Sequence, residues 1–114
     1  MKSKRKIIFI ASLLLISISI SAQKIKYQKE NFKVWGKCEM CKTTIEKAVK
    51  STDGIKIARW SVANEKMQVK FNPEITTLEQ IHKAIAAAGY DTELFKATDE
   101  SYNNLHHCCK YERE

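Results

Sequence analysis

Ala58-Arg59-Trp60-Ser61-Val62, followed by Met67-Gln68-Val69-Lys70-Phe71-Asn72-Pro73, is the stretch on which the fold turns. Ala58, Trp60 and Val62 alternate with polar residues, and Met67, Val69 and Phe71 do so again after a short connection through Ala63 to Lys66. A period of two marks a strand with one buried face, so the runs predict neighbouring antiparallel strands with their apolar residues on one side. Asn72-Pro73 ends the second run, because proline has no N–H to give to a ladder. Thr77 with Gln80 makes a capping box ahead of Leu78, Ile81, Ile85 and Ala88 at helical spacing, and this helix closes at Gly89. His82 falls on its polar side and is expected to face solvent. Upstream, Phe32 to Trp35 reads as a first strand with Phe32 and Val34 inward. Ile45, Ala48 and Val49 then recur as a helix that Asp53-Gly54 closes. A last strand from Asp91 to Ala97 completes the order β-α-β-β-α-β. The predicted fold class is therefore α+β, a ferredoxin-like βαββαβ sandwich with two helices on a four-stranded antiparallel sheet.

Outside this frame the two ends differ. Lys2, Lys4, Arg5 and Lys6 precede fourteen uncharged residues, Ile7 to Ile20, and small residues follow up to Ala22. Residues 1–22 read as a signal peptide cut after Ala22, or alternatively after Ser21, so the chain is expected to be exported to the periplasm or secreted. Fourteen helical residues span about 21 Å, short of a hydrocarbon core of about 30 Å, so membrane contact is expected through the signal peptide alone. Removing these residues subtracts four basic and no acidic side chains, which takes the formal charge from +7 to +3 over 92 residues. Residues 23–28 read as a solvated linker and 29–97 as the domain. The lysines Lys24, Lys26 and Lys29 lack the clustered arginines and interleaved aromatics of a nucleic-acid surface, so no nucleic-acid partner is expected. A chain of this size buries one modest core and leaves no room for a large substrate cavity, which places its chemistry near the surface of a monomer.

Cys38-Glu39-Met40-Cys41 lies where the first strand gives way to the first helix. One sulfur then comes from the loop and the other from the first helical turn, where unpaired N–H groups and the helix dipole stabilise thiolate. Two such thiolates suit a soft ion, and copper(I) accepts low coordination, whereas a closed structural zinc site wants four ligands. Several chemistries share this spacing. Haem attachment needs His at the next position, where Lys42 stands. A thiol–disulfide exchange role and a plain Cys38–Cys41 disulfide both remain open in an exported chain. No nucleophile and base pair or carboxylate pair stands in a catalytic context, so no enzymatic activity is read.

The stretch from Phe32 to Thr92 resembles a heavy-metal-associated domain. The resemblance rests on the 38–41 motif, Ile45-Glu46-Lys47-Ala48, Asp53-Gly54-Ile55, Val69-Lys70-Phe71-Asn72-Pro73 and Ile85-Ala86-Ala87-Ala88-Gly89-Tyr90-Asp91. It implies metal held by Cys38 and Cys41, with Tyr90 on a loop facing them. It also implies kinship with exported copper chaperones, copper-transporting ATPase modules and the periplasmic mercury-binding protein. Gly36 departs from the family, which often has Met two residues before the first Cys, so the loop must pack differently. Lys37 stands where zinc-preferring members tend to carry an acidic residue, which disfavours zinc. Met40 reads as a solvated spacer, with a weak thioether ligand as the alternative.

Residues 98–114 read as a polar tail without a fold of its own. It carries His106-His107-Cys108-Cys109, whose imidazoles and thiols suit copper or zinc. Two or three of the four are expected to bind at once as auxiliary ligands, joined by Cys38 and Cys41 if the tail folds back; disulfides are the alternative. Residues and resemblance together point to capture and transfer of a thiophilic ion, copper(I) first, with mercury(II) or zinc(II) as alternatives. The partner would be a metal-donating or metal-accepting protein such as a metal transporter. The competing functions are a thiol–disulfide redox protein and a mercury(II)-binding scavenger.

Overall fold

The computed structural model describes residues 24–114, and the expected signal peptide lies outside the described residues. The elements are β1 (Gln28–Lys33), α1 (Glu39–Lys50), β2 (Ile55–Trp60), β3 (Lys66–Phe71), α2 (Leu78–Ala87) and α3 (Asp99–Asn103), followed by a 3₁₀ turn at His107–Cys109. Among the described residues no helix is long and apolar enough to cross a membrane.

β3 is the central strand, antiparallel to β1 on one side and β2 on the other. Met67, Val69 and Phe71 face inward as their alternation requires, beside Ala58 and Trp60 of β2 and Phe32 of β1. Ile45 and Val49 of α1 and Ile81 and Ile85 of α2 complete this core. β1 begins at Gln28, earlier than its apolar pattern suggests, because pairing with β3 from Gln28↔Phe71 onward sets its extent. Thr77 caps α2 as its spacing implies, accepting from the Gln80 N–H at 3.2 Å.

The expected fourth strand shrinks to a single bridge, Val34↔Thr92, and the sheet among the described residues has three strands. Trp35 N–H still bonds the Asp91 carbonyl at 2.9 Å and Glu93 N–H the Lys33 carbonyl at 3.2 Å. Beyond that the Thr92 hydroxyl accepts from Leu94 and Phe95 N–H, while Thr92 N–H bonds the Phe95 carbonyl. These local bonds turn the chain back on itself and compete with the ladder.

His82 is a second correction. It is buried at 1 % exposure, with its ring 3.9 Å from that of Phe32 and Nδ1 2.7 Å from Thr92 Oγ1. The helix face that looks polar by composition is covered by the turn at 92–95. Burial holds the imidazole below its ordinary pKa, against a smaller opposing pull from Glu93. The unfolded chain therefore takes up a proton first, and stability falls as pH drops below about 6.5, with a slope of at most about 1.4 kcal/mol per pH unit. His82→Leu should flatten that slope, measured by urea unfolding at several pH values between 7.5 and 5.5.

Candidate metal centre

α1 starts where it does because Cys38 takes extended angles while its carbonyl receives the first helical bond, from Lys42 N–H at 3.1 Å. The Cys38 side chain makes no cap, which leaves its sulfur beside the N–H groups of the first turn. The Cys41 N–H holds this thiol below its ordinary range, against an opposing desolvation. Cys41, one turn in, is fully buried, and its sulfur lies 3.7 Å from that of Cys38. The pair is thus not two surface ligands: one is half-buried and the other is walled by the core.

Gly36 makes this placement sterically feasible. A Cβ there would meet the Trp60 ring at 2.8 Å, so the loop packs directly onto an indole whose Nε1 is tied to the Val34 carbonyl at 3.0 Å. That contact answers the departure from the family pattern: bulk at this end of the core comes from Trp60. Lys42 and Glu46 hold α1 to the same place, Lys42 bonding the Trp60 carbonyl and Glu46 accepting from Trp60 N–H.

The segment 98–114 is not a loose tail. Thr98 caps α3 through the Ser101 N–H. The Tyr111 hydroxyl donates to the Gly89 carbonyl at 3.0 Å and accepts from Asp91 N–H at 2.8 Å. Its ring stacks on Tyr90 and meets Tyr102 edge-on. Arg113 grips the Asp91 carboxylate with two bonds, at 3.0 and 2.9 Å, and also reaches the Ala97 carbonyl. Burial pushes the Asp91 carboxyl up, but Arg113 and the Ala97 N–H outweigh it and hold the group below the usual carboxylate range.

These anchors bring Cys108 and Cys109 over the motif. The sulfurs of Cys38, Cys108 and Cys109 lie within 4.8 Å of one another, with Cys108 and Cys109 at 4.0 Å. The Cys38 thiol points at the Cys108 carbonyl (3.6 Å) and the Cys41 thiol at that of Cys109 (3.8 Å). The Cys108 thiol donates to the Met40 thioether at 3.5 Å, so Met40 is not merely solvated. All four cysteines are free thiols. Burial, and then the neighbouring Cys41, pushes the Cys109 thiol up to about 12. Tyr90 is fully buried, and its hydroxyl has no partner at ordinary hydrogen-bonding distance. It is close enough to Cys41 and Cys109 that, after burial itself, they are what push the phenol above its usual range.

His106 and His107 are exposed and stand outside this cluster. Of the four expected auxiliary residues the structure gathers the two thiols, because the turn at His107–Cys109 directs Cys109 inward and leaves the imidazoles on its solvent side.

Residues 37–91 match the family described as the heavy-metal-associated domain. This segment is a heavy-metal-associated domain. Solved structures agree. The CopZ metallochaperone is similar at 29 % identity and a TM-score of 0.55, over 57 % of this chain and 98 % of that one. Oxidized MerP from Ralstonia metallidurans CH34 is similar at 26 % identity and a TM-score of 0.57, over 60 % and 96 %. A copper-transporting ATPase of Oryza sativa subsp. japonica is 33 % identical over 69 residues, which are 60 % of this chain but only 7 % of the ATPase. Tyr90 lies beside one motif cysteine, Cys41, and beside Cys109 of the docked segment. Cys108, Cys109, Tyr111 and Arg113 lie beyond the matched segment. Tyr102, Leu105 and Tyr111, apolar residues in a polar stretch, were the available sequence signal that this segment docks.

Proposed function

We propose that this chain captures a thiophilic ion, copper(I) by preference, through Cys38 and Cys41 outside the cytoplasm and passes it to a metal-handling protein such as a metal transporter. The ion is cargo, and no residue takes a catalytic role. The observation that carries this reading is the pair of thiols 3.7 Å apart at the start of α1 in a heavy-metal-associated domain, the Cys38 thiol being held below its ordinary range by the Cys41 N–H. A thiolate is the ligand form, and a lowered pKa makes it more accessible. The similarity to a metallochaperone and a copper-transporting ATPase supports copper among the soft ions.

An anaerobic competition between copper(I), mercury(II) and zinc(II) on the reduced chain tests the proposal directly. Copper(I) should bind and outlast zinc(II). The same reduced chain should fail to reduce insulin, which a thiol–disulfide exchange protein built on the same cysteines would do. Insulin reduction without retained copper(I) would replace this reading by the redox one. Export is tested separately, by mass spectrometry of the native protein, which should begin at Gln23 or Ala22.

A further inference from the structure

Metal–sulfur bonds of about 2.3 Å place the sulfurs of a linear two-sulfur site about 4.6 Å apart, those of a trigonal site about 4.0 Å and those of a tetrahedral site about 3.8 Å. The separations here are 3.7 Å for Cys38 and Cys41 and 4.0 Å for Cys108 and Cys109, with Cys38, Cys108 and Cys109 mutually within 4.8 Å. The 3.7 and 4.0 Å separations match trigonal or tetrahedral spacing and are shorter than a linear two-sulfur site requires. From this geometry we infer that residues 98–114 form a cap of the chain's own, which adds Cys108 and Cys109 to the two-cysteine motif and holds the ion among at least three thiols, Cys38, Cys108 and Cys109, with Cys41 3.7 Å from Cys38, so that the ion leaves only when the cap is displaced. The inference rests on the capture reading above and concerns how tightly the same ion is held.

Three independent features support a built site. The cap is fastened at both ends of its turn, by Tyr102 of α3 and the following Leu105 packing on the core and by Tyr111 and Arg113 on Gly89 and Asp91. Its position is enforced at Gly89, where φ is +106° and any Cβ would meet the Ser101 carbonyl at 2.8 Å. The Tyr90 hydroxyl is fully buried and without a hydrogen-bond partner, and it lies beside Cys41 and Cys109, where it offers a donor to sulfur. Cys109 is itself 2 % exposed, so both pairs of thiols contribute one sulfur from the core side and one from the solvent side. A ligand pair delivered by a tethered, pre-positioned segment acts at high effective concentration and slows dissociation without changing the identity of the ion.

The test uses the full mature chain loaded with one equivalent of copper(I) under anaerobic conditions. X-ray absorption should count three or four sulfurs around copper in the natural chain and two in the Cys108→Ser, Cys109→Ser double variant. Transfer of copper(I) to an excess of a chromogenic chelator should be roughly 100-fold faster in the double variant, the low end of what a tethered second pair of contacts supplies. Cys108→Ser alone alters an exposed residue, so its fold is secure; it should remove one sulfur from the count and speed release to a smaller extent. Two sulfurs and equal release rates in all three chains overturn the cap while leaving capture by Cys38 and Cys41 standing. No uptake of copper(I) by any of them overturns the capture reading and the cap with it.

Discussion

Cys38→Ser, made in a chain that already carries Cys108→Ser and Cys109→Ser, is expected to weaken copper(I) binding by more than about 100-fold, beyond the roughly 10- to 100-fold that follows loss of an outer-shell partner. Cys41→Ser in the same background should do the same. A lone thiolate has no chelate partner, and a hydroxyl is a poor ligand for a soft ion. The background matters because the two remaining thiols stand within reach of Cys38 and could substitute for a missing one. The variants differ in their side effects. Cys38 is half-buried, so its replacement should leave unfolding unchanged. Cys41 is fully buried between Ile45 and the docked segment, and a hydroxyl there should cost about 1–2 kcal/mol of stability. A competition titration against a copper(I) chelator, paired with urea unfolding of the metal-free protein, separates the two effects. Retained affinity in either triple variant would show that the ion is bound elsewhere.

Asp91→Ala should destabilise the protein by about 3 kcal/mol, within the range for removing one partner of a buried ion pair. Asp91 is 4 % exposed, and its carboxylate receives two bonds from Arg113 and one from Ala97 N–H. Removing it strands a guanidinium and a buried N–H. The Arg113 side chain keeps 22 % exposure, which places the expected cost at the lower end of that range. The change should also free residues 98–114 to proteases under conditions where the core of α1, α2 and the sheet resists, because this carboxylate ties the segment to the end of α2. The pH dependence follows from the depressed carboxyl. Its stabilisation is present above the unfolded value of about 3.9 and is lost as pH falls through the lower folded value, so Asp91→Ala should flatten the acid limb below about pH 4. An unchanged urea midpoint together with unchanged protease resistance would place the anchor of the segment elsewhere.

Periodicity, capping and spacing are local properties, and what they imply survives folding. The alternation at 58–62 and 67–71 gives β2 and β3 their shared inner face, Thr77 starts α2, and Cys38-Glu39-Met40-Cys41 straddles the start of α1. Two thiols one helical turn apart can meet whatever the rest of the chain does. The sequence by itself thus determined the α+β frame, the position of the candidate site and the helix start that lowers the Cys38 thiol pKa.

Tertiary structure decided what lies over that site. The fourth strand gave way to a turn because the Thr92 side chain satisfies backbone N–H groups that a ladder would otherwise claim. His82 was buried by that same turn, which no helical pattern encodes. The return of Cys108 and Cys109 to Cys38 joins residues 70 positions apart. It depends on a single tyrosine hydroxyl bridging Gly89 and Asp91, on one arginine pairing with a buried carboxylate and on the absence of a Cβ at Gly89. Each is a contact between segments whose sequences look unrelated. Only folding could sort the thiols, which the turn directs at the motif, from the neighbouring histidines, which it leaves in water.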